Sequence, residues 1–129
     1  MSVATPLGVL FLLFLLETKH FICDGPLQTK PMIIEKSHYG KKLGLVHAGL
    51  HGLFSLGALL IAGPSARLGI LLAVGEGIIH YHIDFSKENL VKKMGWTSLD
   101  RNYWWALAGD QALHHFTYLA MGAIAVSWV

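Results

Sequence analysis

Four long apolar segments follow one another along the chain, separated by polar stretches or Gly-Pro breaks. They cover about residues 6–24, 42–62, 66–85 and 103–127. Each holds about 19 to 26 residues, near the ~20 that an α-helix needs to cross a bilayer. The pattern predicts an all-α protein: a four-helix transmembrane bundle that forms a single integral membrane domain over residues 1–129.

The composition supports a membrane protein and excludes several other classes. Of the 129 residues, 53% are hydrophobic and 14% are charged, whereas soluble domains carry about 25% charged residues. A net charge of +2 gives no support to nucleic-acid binding, so no nucleic-acid partner is expected. The single cysteine excludes an internal disulfide framework and a thiolate-rich zinc site.

Basic residues predict how the segments are oriented in a membrane. They concentrate in the two longer connections, at Lys30, Lys36, Lys41, Lys42 and at Lys87, Lys92, Lys93, Arg101. The positive-inside rule places both connections in the cytoplasm and both termini on the non-cytoplasmic side. The first segment lacks a basic start and a small-residue cleavage site, so it is predicted to be a retained helix. The stretch "SKENLVKKMGW" is predicted to be an amphipathic helix on the membrane surface.

Each segment also carries a short polar stripe with helical spacing, at i, i+3 or i, i+4. The stripes consist of Glu17, His20, Asp24; His47, His51; Glu76, His80, Asp84; and Asp110, His114. At 1.5 Å of rise per residue, all four stripes fall in the cytoplasmic half of the bilayer. A lone ionisable side chain in hydrocarbon costs several kcal/mol, so these residues are expected to face the bundle interior and to pair or to bind a cation.

Histidines and carboxylates on facing helices are the ligands of metal sites in helical bundles. The predicted metal ligands are His20, Asp24, His47, His51, Glu76, His80, Asp110 and His114. One tetrahedral zinc uses four or fewer ligands, so the surplus favours two ions, or one ion whose histidines are oriented by carboxylates. The expected cofactor is a divalent metal: zinc, manganese or iron. Haem binding and a metal-free polar network or proton path are the alternatives.

Four short motifs carry a resemblance to a known family: "HFICDGPLQTKPM", "HAGLHG", "EGIIHYHIDFSK" and "DQALHH". Together they resemble a small integral membrane family of bacteria and phages, called domain of unknown function 3307. The family pattern falls on His20, Asp24, Gln28; His47, His51; His80, Asp84, Lys87; and Asp110, Gln111, His114. The resemblance implies a multi-pass protein of a bacterial inner membrane. There is a looser likeness to predicted membrane-bound metal-dependent hydrolases.

Two functions are consistent with these residues. The first is a metal-dependent hydrolase acting on a lipid phosphate at the cytoplasmic interface, with Glu76 or Asp84 as general base. Its anionic headgroup would be contacted by Lys87, Lys41 and Lys42. The alternative is a non-enzymatic membrane subunit, a homo-oligomer or part of a larger complex, whose buried network is structural. Ion passage is disfavoured because the far half of the membrane lacks polar residues.

Some polar residues stay outside this assignment. His82 is about 200° from His80 around the helix, so it is predicted to face a loop or the lipid headgroups. Glu17 and His115 are left open. Gln28 is also open, because "DGP" departs from the family's usual Asp-aromatic continuation and places a helix break before it.

Overall fold

The computed structural model describes residues 2–128, and every regular element in that range is an α-helix. The helices are α1 (Pro6–Asp24), α2 (Lys30–Lys36), α3 (Lys42–Ala62), α4 (Ala66–Met94) and α5 (Arg101–Ser127). The predicted all-α class is therefore confirmed.

Local capping signals set the helix boundaries. The side chains of Thr5 and Ser65 accept hydrogen bonds from backbone N–H groups in the first turns of α1 and α4, at 3.0 and 3.3 Å, which is the usual N-cap arrangement. Gly63 and Gly95 end α3 and α4 with φ of +90° and +67°. This left-handed conformation is accessible to glycine without strain, so the chain turns sharply at both points.

Two elements differ from the sequence-based prediction. The third apolar segment, which forms α4, was predicted to end near residue 85. The helix continues to Met94, because no helix-breaking residue precedes Gly95. The stretch predicted as a separate surface helix is the last part of α4. The connection between the first two segments contains α2, which starts at Lys30, with Thr29 as its cap and Pro31 in its first turn. Proline is tolerated in the first turn of a helix because its missing N–H is not needed there.

The four long helices pack side by side. α1 contacts α3 and α5, and α4 contacts the same two helices. α2 packs against α3 and α4 at the end of the molecule where α1 finishes and α3 begins, which is called the α2 end below. The α4–α5 turn lies at this end too, because the last part of α4 contacts the α2 region: Asn89 donates a hydrogen bond to the backbone oxygen of Ser37 at 3.0 Å.

The half of the molecule away from the α2 end is filled by apolar side chains. Leu12, Leu16, Leu59 and Tyr118 are fully buried there, and small residues such as Ala125 complete the core. The buried lysines, histidines and carboxylates lie in the other half.

The outer surface is also apolar over much of the helices. Leu10, Phe14 and Leu53 are each more than 60% exposed, and so wide an apolar surface is typical of contact with lipid or partner chains. Among residues 2–128, three helices are long and apolar enough to cross a membrane: α1, α3 and α4. α5 has 27 residues but carries several polar ones, which lower its hydropathy.

Small residues allow α3 and α4 to approach closely. A Cβ atom on Gly52 would lie 3.1 Å from the carbonyl oxygen of Ala73, and one on Gly77 would lie 3.4 Å from that of Ala48. Backbone approach of this kind maximises van der Waals contact between helices in a membrane. It also holds the polar residues of the two helices at a fixed separation.

We expect the substitution Gly52→Leu to destabilise the protein by about 1–3 kcal/mol, the usual cost of overpacking a tight contact. The added side chain would push α3 away from α4. The measurement is the free energy of unfolding in detergent, from a denaturant titration.

Gly57→Leu is the matched control, since Gly57 lies on the same helix and a Cβ there meets no atom within 4 Å. Equal losses of stability in both variants would contradict the close packing of α3 on α4.

Candidate metal centre

A set of polar side chains is buried between the long helices, towards the α2 end. It is called the buried polar cluster and consists of Lys19, His20, Lys36, His47, His51, Ser55, Glu76, His80, Asp84, Asp110 and His114, with Asp24 and Tyr118 at its edges. Helical i, i+4 spacing directs these side chains to the inner face of each helix. The stripes predicted from the sequence are thus brought together.

Four of these residues form a first group that can hold a metal ion: Asp24, His47, His51 and His80. One ligand atom from each lies within 4.8 Å of the others. Asp24 Oδ1 is 3.1 Å from both His47 Nε2 and His51 Nε2, and the Nε2 atoms of His47 and His80 are 3.3 Å apart. Nitrogen ligands at ~2.0–2.1 Å in a tetrahedral zinc site are about 3.3 Å from one another. The spacing therefore fits a single ion.

A second group lies beside the first and shares His80 with it. His80, Asp84 and His114 also offer ligand atoms within 4.8 Å of one another. His80 Nε2 is 3.4 Å from Asp84 Oδ2, and His114 Nε2 is 3.4 Å from Asp84 Oδ1. Because His80 Nε2 takes part in both groups and one imidazole nitrogen binds a single ion, His80 can serve only one group at a time. Two neighbouring ions would leave the other group with Asp24, His47 and His51, or with Asp84 and His114.

Hydrogen bonds between imidazoles and carboxylates have lengths similar to these ligand–ligand distances. Atoms without a hydrogen-bond partner therefore help to distinguish a metal site from a metal-free polar network. Within residues 2–128, five buried side-chain atoms make no hydrogen bond: His47 Nδ1, His80 Nδ1, Asp84 Oδ2, Asp110 Oδ1 and His114 Nε2. Buried polar atoms are nearly always hydrogen-bonded. Asp84 Oδ2 and His114 Nε2 are atoms of the second ligand group, which fits a cation as their missing partner. His47 Nδ1 and His80 Nδ1 lie on the far side of the rings from the Nε2 atoms of the first group.

Lys19 closes the cluster on the side of the apolar core. Its Nζ atom lies 2.9 Å from Glu76 Oε1, 3.1 Å from His51 Nδ1 and 4.6 Å from the centre of the Tyr118 ring. Glu76 also accepts a hydrogen bond from Ser55 at 3.3 Å, and its Oε1 lies 3.5 Å from His80 Nδ1. Glu76 is thus held behind the histidines and outside both ligand groups.

Lys36 closes the cluster at the α2 end. Its Nζ atom lies 2.9 Å from Asp84 Oδ2, in a charge contact that is not a well-directed hydrogen bond, and it donates to Gln28 Oε1. Gln28 in turn donates to the backbone oxygen of Asp24 at 2.8 Å. An ion bound at Asp84 would have to share this carboxylate with Lys36.

His20 and Asp110 lie beside the ligand groups. His20 Nδ1 is 2.8 Å from the Tyr118 hydroxyl and its Nε2 is 3.0 Å from Gln111 Oε1. Gln111 also donates to Asp110 Oδ2 at 3.1 Å, and Asp110 Oδ1 is 3.6 Å from His114 Nε2. These contacts orient the side chains around the ligand groups, as the outer partners of metal ligands commonly do.

The remaining predicted residues lie further out. Glu17 and His115 pair with each other at 2.9 Å, with side chains that are 45% and 44% exposed. His82 is exposed and contacts Tyr39, as expected. Lys41 and Lys42 are exposed at the start of α3, and the half-buried Lys87 pairs with Glu88.

Two lysines of the cluster were not predicted from the sequence. Lys19 did give a signal, because it is a charged residue inside the first apolar segment and needs an opposite charge. Lys36 gave none, since its position depends on α2, which was predicted to be a loop. The two residues show that the cluster contains its own cations.

The Lys19–Glu76 pair gives a prediction about stability. Because Lys19→Met leaves a buried carboxylate without its counter-charge, we expect a loss of about 3–5 kcal/mol in the free energy of unfolding in detergent. Adding Glu76→Gln to that variant should restore at least half of the loss. Additive losses in the double variant would show that the two charges do not interact.

Comparison with known proteins identifies the family but adds no activity. No curated protein and no solved structure matches the chain. One family model, described as a protein of unknown function (DUF3307), matches residues 9–128. That range contains all four motifs and every residue of the buried polar cluster, so the chain belongs to the DUF3307 family.

Proposed function

We propose that this protein is an integral membrane metalloprotein that hydrolyses phosphate esters of membrane lipids. In this proposal α1, α3, α4 and α5 cross the bilayer as a four-helix bundle, with both termini on the non-cytoplasmic side. The α2 end and the buried polar cluster then lie towards the cytoplasm, since the basic residues of the two longer connections lie there.

The observation that carries the proposal is the pair of ligand groups that share His80. They combine neutral imidazoles with carboxylates, which are ligands for zinc, manganese or iron. They are also enclosed by apolar helix surfaces, where an uncompensated charge is costly. A divalent ion would satisfy the unpaired Asp84 Oδ2 and His114 Nε2 atoms and balance the charge.

The charge balance of the cluster supports an ion and also indicates the substrate. Its four carboxylates face two lysine ammonium groups, so neutral histidines leave an excess of two negative charges. One divalent ion neutralises this excess. Two ions would leave an excess of two positive charges, which a dianionic phosphate ester would balance. This is why a phosphate is favoured over a neutral ester or amide.

The residues around the ligand groups can be given roles in hydrolysis. A divalent ion bound there would supply Lewis-acid activation of water and stabilise an anionic phosphate oxygen. Asp110 is suited to accept a proton, because its Oδ1 makes no hydrogen bond. Asp84 remains a second candidate base, although Lys36 contacts it. Glu76, fixed by Lys19 and Ser55, is better placed to orient His80 than to take up a proton.

A second function is favoured by a different observation. Lys19 and Lys36 already pair with Glu76 and Asp84, as expected if the cluster serves to fix the packing of the helices. In that case the protein is a non-enzymatic membrane subunit, acting as a homo-oligomer or within a larger complex. Metal content separates this function from the first.

We expect purified protein to bind at least one divalent ion per chain, measured by elemental analysis and by titration calorimetry. His80→Ala should weaken binding by more than about 100-fold, beyond the 10–100-fold typical of outer partners. Binding should also weaken below about pH 6, because protons compete for the histidine ligands.

His82→Ala is the control, since His82 lies on the same helix and is exposed. Protein that carries no ion, and whose stability and assembly tolerate His80→Ala, would instead be a structural subunit.

The hydrolase assignment predicts release of phosphate from lipid phosphates when zinc or manganese is supplied. Asp110→Asn should lower kcat by about 100-fold or more, a typical loss for a general base, with the metal content unchanged. The measurement is phosphate release from mixed micelles alongside elemental analysis. No release with any of the supplied metals would contradict this function.

A further inference from the structure

The outer surface of the long helices carries two apolar grooves. One lies between α3 and α4 and has a volume of about 510 Å³. The other lies between α4 and α5 and has a volume of about 590 Å³. They differ in one respect: the lining of the second includes Asp110, a residue of the buried polar cluster, whereas the described lining of the first includes none.

The α4–α5 groove is mainly apolar along its length. Ile79 and Leu113 lie towards the end of the groove that is further from α2. Leu90 and Trp105 lie at the α2 end. Gly109 lies on the wall next to Asp110, and a Cβ at this position meets no atom within 4 Å. The absence of a side chain at residue 109 therefore keeps the groove open next to the cluster.

Asp110 connects the groove with the ligand groups. The residue is only 5% exposed, and its Oδ1 atom makes no hydrogen bond with the described residues. The same atom lies 3.6 Å from His114 Nε2. Asp110 is thus the residue at which the groove borders the cluster, between α4 and α5.

Cationic side chains lie at the α2 end of the same groove. Lys87 belongs to its lining, where it pairs with Glu88. The exposed Arg101 stacks over the Trp105 ring, with its guanidinium carbon 6.0 Å from the ring centre. The groove therefore has an apolar body and two basic side chains at its α2 end, Lys87 in its pair with Glu88 and Arg101 over Trp105. It also has one carboxylate next to the ligand groups.

A different opening suits small polar molecules. A cleft of about 310 Å³ between α1 and α5 is lined by His20, Asp24 and Gln111 and flanked by the Glu17–His115 pair. Water and ions can enter through such a polar cleft. The α4–α5 groove, being apolar, is suited to hydrocarbon.

We infer that the α4–α5 groove binds a hydrocarbon chain of an anionic membrane lipid and guides its phosphate from the bilayer to Asp110 and His114. The phosphate first lies near Lys87 and Arg101, with the chain against Ile79, Gly109 and Leu113, and then moves along the groove to Asp110. The binding part of this inference stands on the groove alone, whereas cleavage of the bound lipid rests on the proposed function.

The test uses Gly109→Leu, which fills the groove without a backbone clash. The protein is placed in phosphatidylcholine bilayers that contain a small fraction of phosphatidic acid with a photoactivatable acyl chain. We expect adducts on groove residues in the wild type. In the variant their yield should fall by about tenfold, the equivalent of losing roughly two buried methylene groups.

Gly49→Leu is the matched control, because Gly49 is equally open and lines the α3–α4 groove. It should leave the adduct yield at the α4–α5 groove unchanged. Ala106→Leu fills the same groove from the next turn of α5 and replaces Gly109→Leu if that variant does not fold. Adducts spread evenly over the helices, or equal yields in all variants, would overturn the inference.

A second measurement separates this inference from the proposed function. If the protein is a hydrolase, Gly109→Leu should raise KM for the long-chain lipid phosphate by a larger factor than KM for a short-chain soluble phosphate ester. An equal effect on both substrates would contradict the guiding role of the groove. Adducts that depend on Gly109 in a protein without hydrolase activity would uphold lipid binding and refute the proposed function.

Discussion

The need to neutralise buried charge determines most of this structure. Asp84 and Glu76 lie on one helix with His80 between them, enclosed by helices whose outer faces are apolar. Each carboxylate has a lysine within 2.9 Å, and both lysines come from other helices. Because an unpaired charge in such surroundings costs several kcal/mol, the helices can pack only in a register that brings these charges together.

That register also brings the histidines into contact. His51 and His80 stack with ring centres 3.5 Å apart, and His80 and His114 stack at 4.0 Å. Imidazoles this close together repel one another if they are protonated. As neutral side chains they can lie at this spacing and offer nitrogen atoms to one ion. Charge pairing therefore favours the helix arrangement that an ion bound by these histidines would also favour, and the close packing at Gly52 keeps the separation of α3 and α4 short.

The sequence predicts the polar stripes well and the contacts between them poorly. Helical spacing is a local property, so residues such as His47 and His51 can be assigned to one face without knowledge of the neighbouring helices. The partner of Glu76 cannot be found in this way, since Lys19 lies far away in the chain and one residue off the predicted face. Lys36 depends on α2, whose first turn contains Pro31 and is equally consistent with a loop. The continuation of α4 to Met94 reflects the absence of a breaker rather than any apolar signal.

The contact between Lys36 and Asp84 has a consequence for how long an ion would stay. Lys36 is tethered to the protein, so it remains next to Asp84 at a high effective concentration after an ion displaces it. When the ion dissociates, the Lys36 ammonium takes its place next to the Asp84 carboxylate. This lowers the free-energy cost of releasing the ion. A site of this kind would exchange its ion rapidly with the surroundings. The fraction of protein with an ion at Asp84 would then depend on the concentration of free metal in the cell.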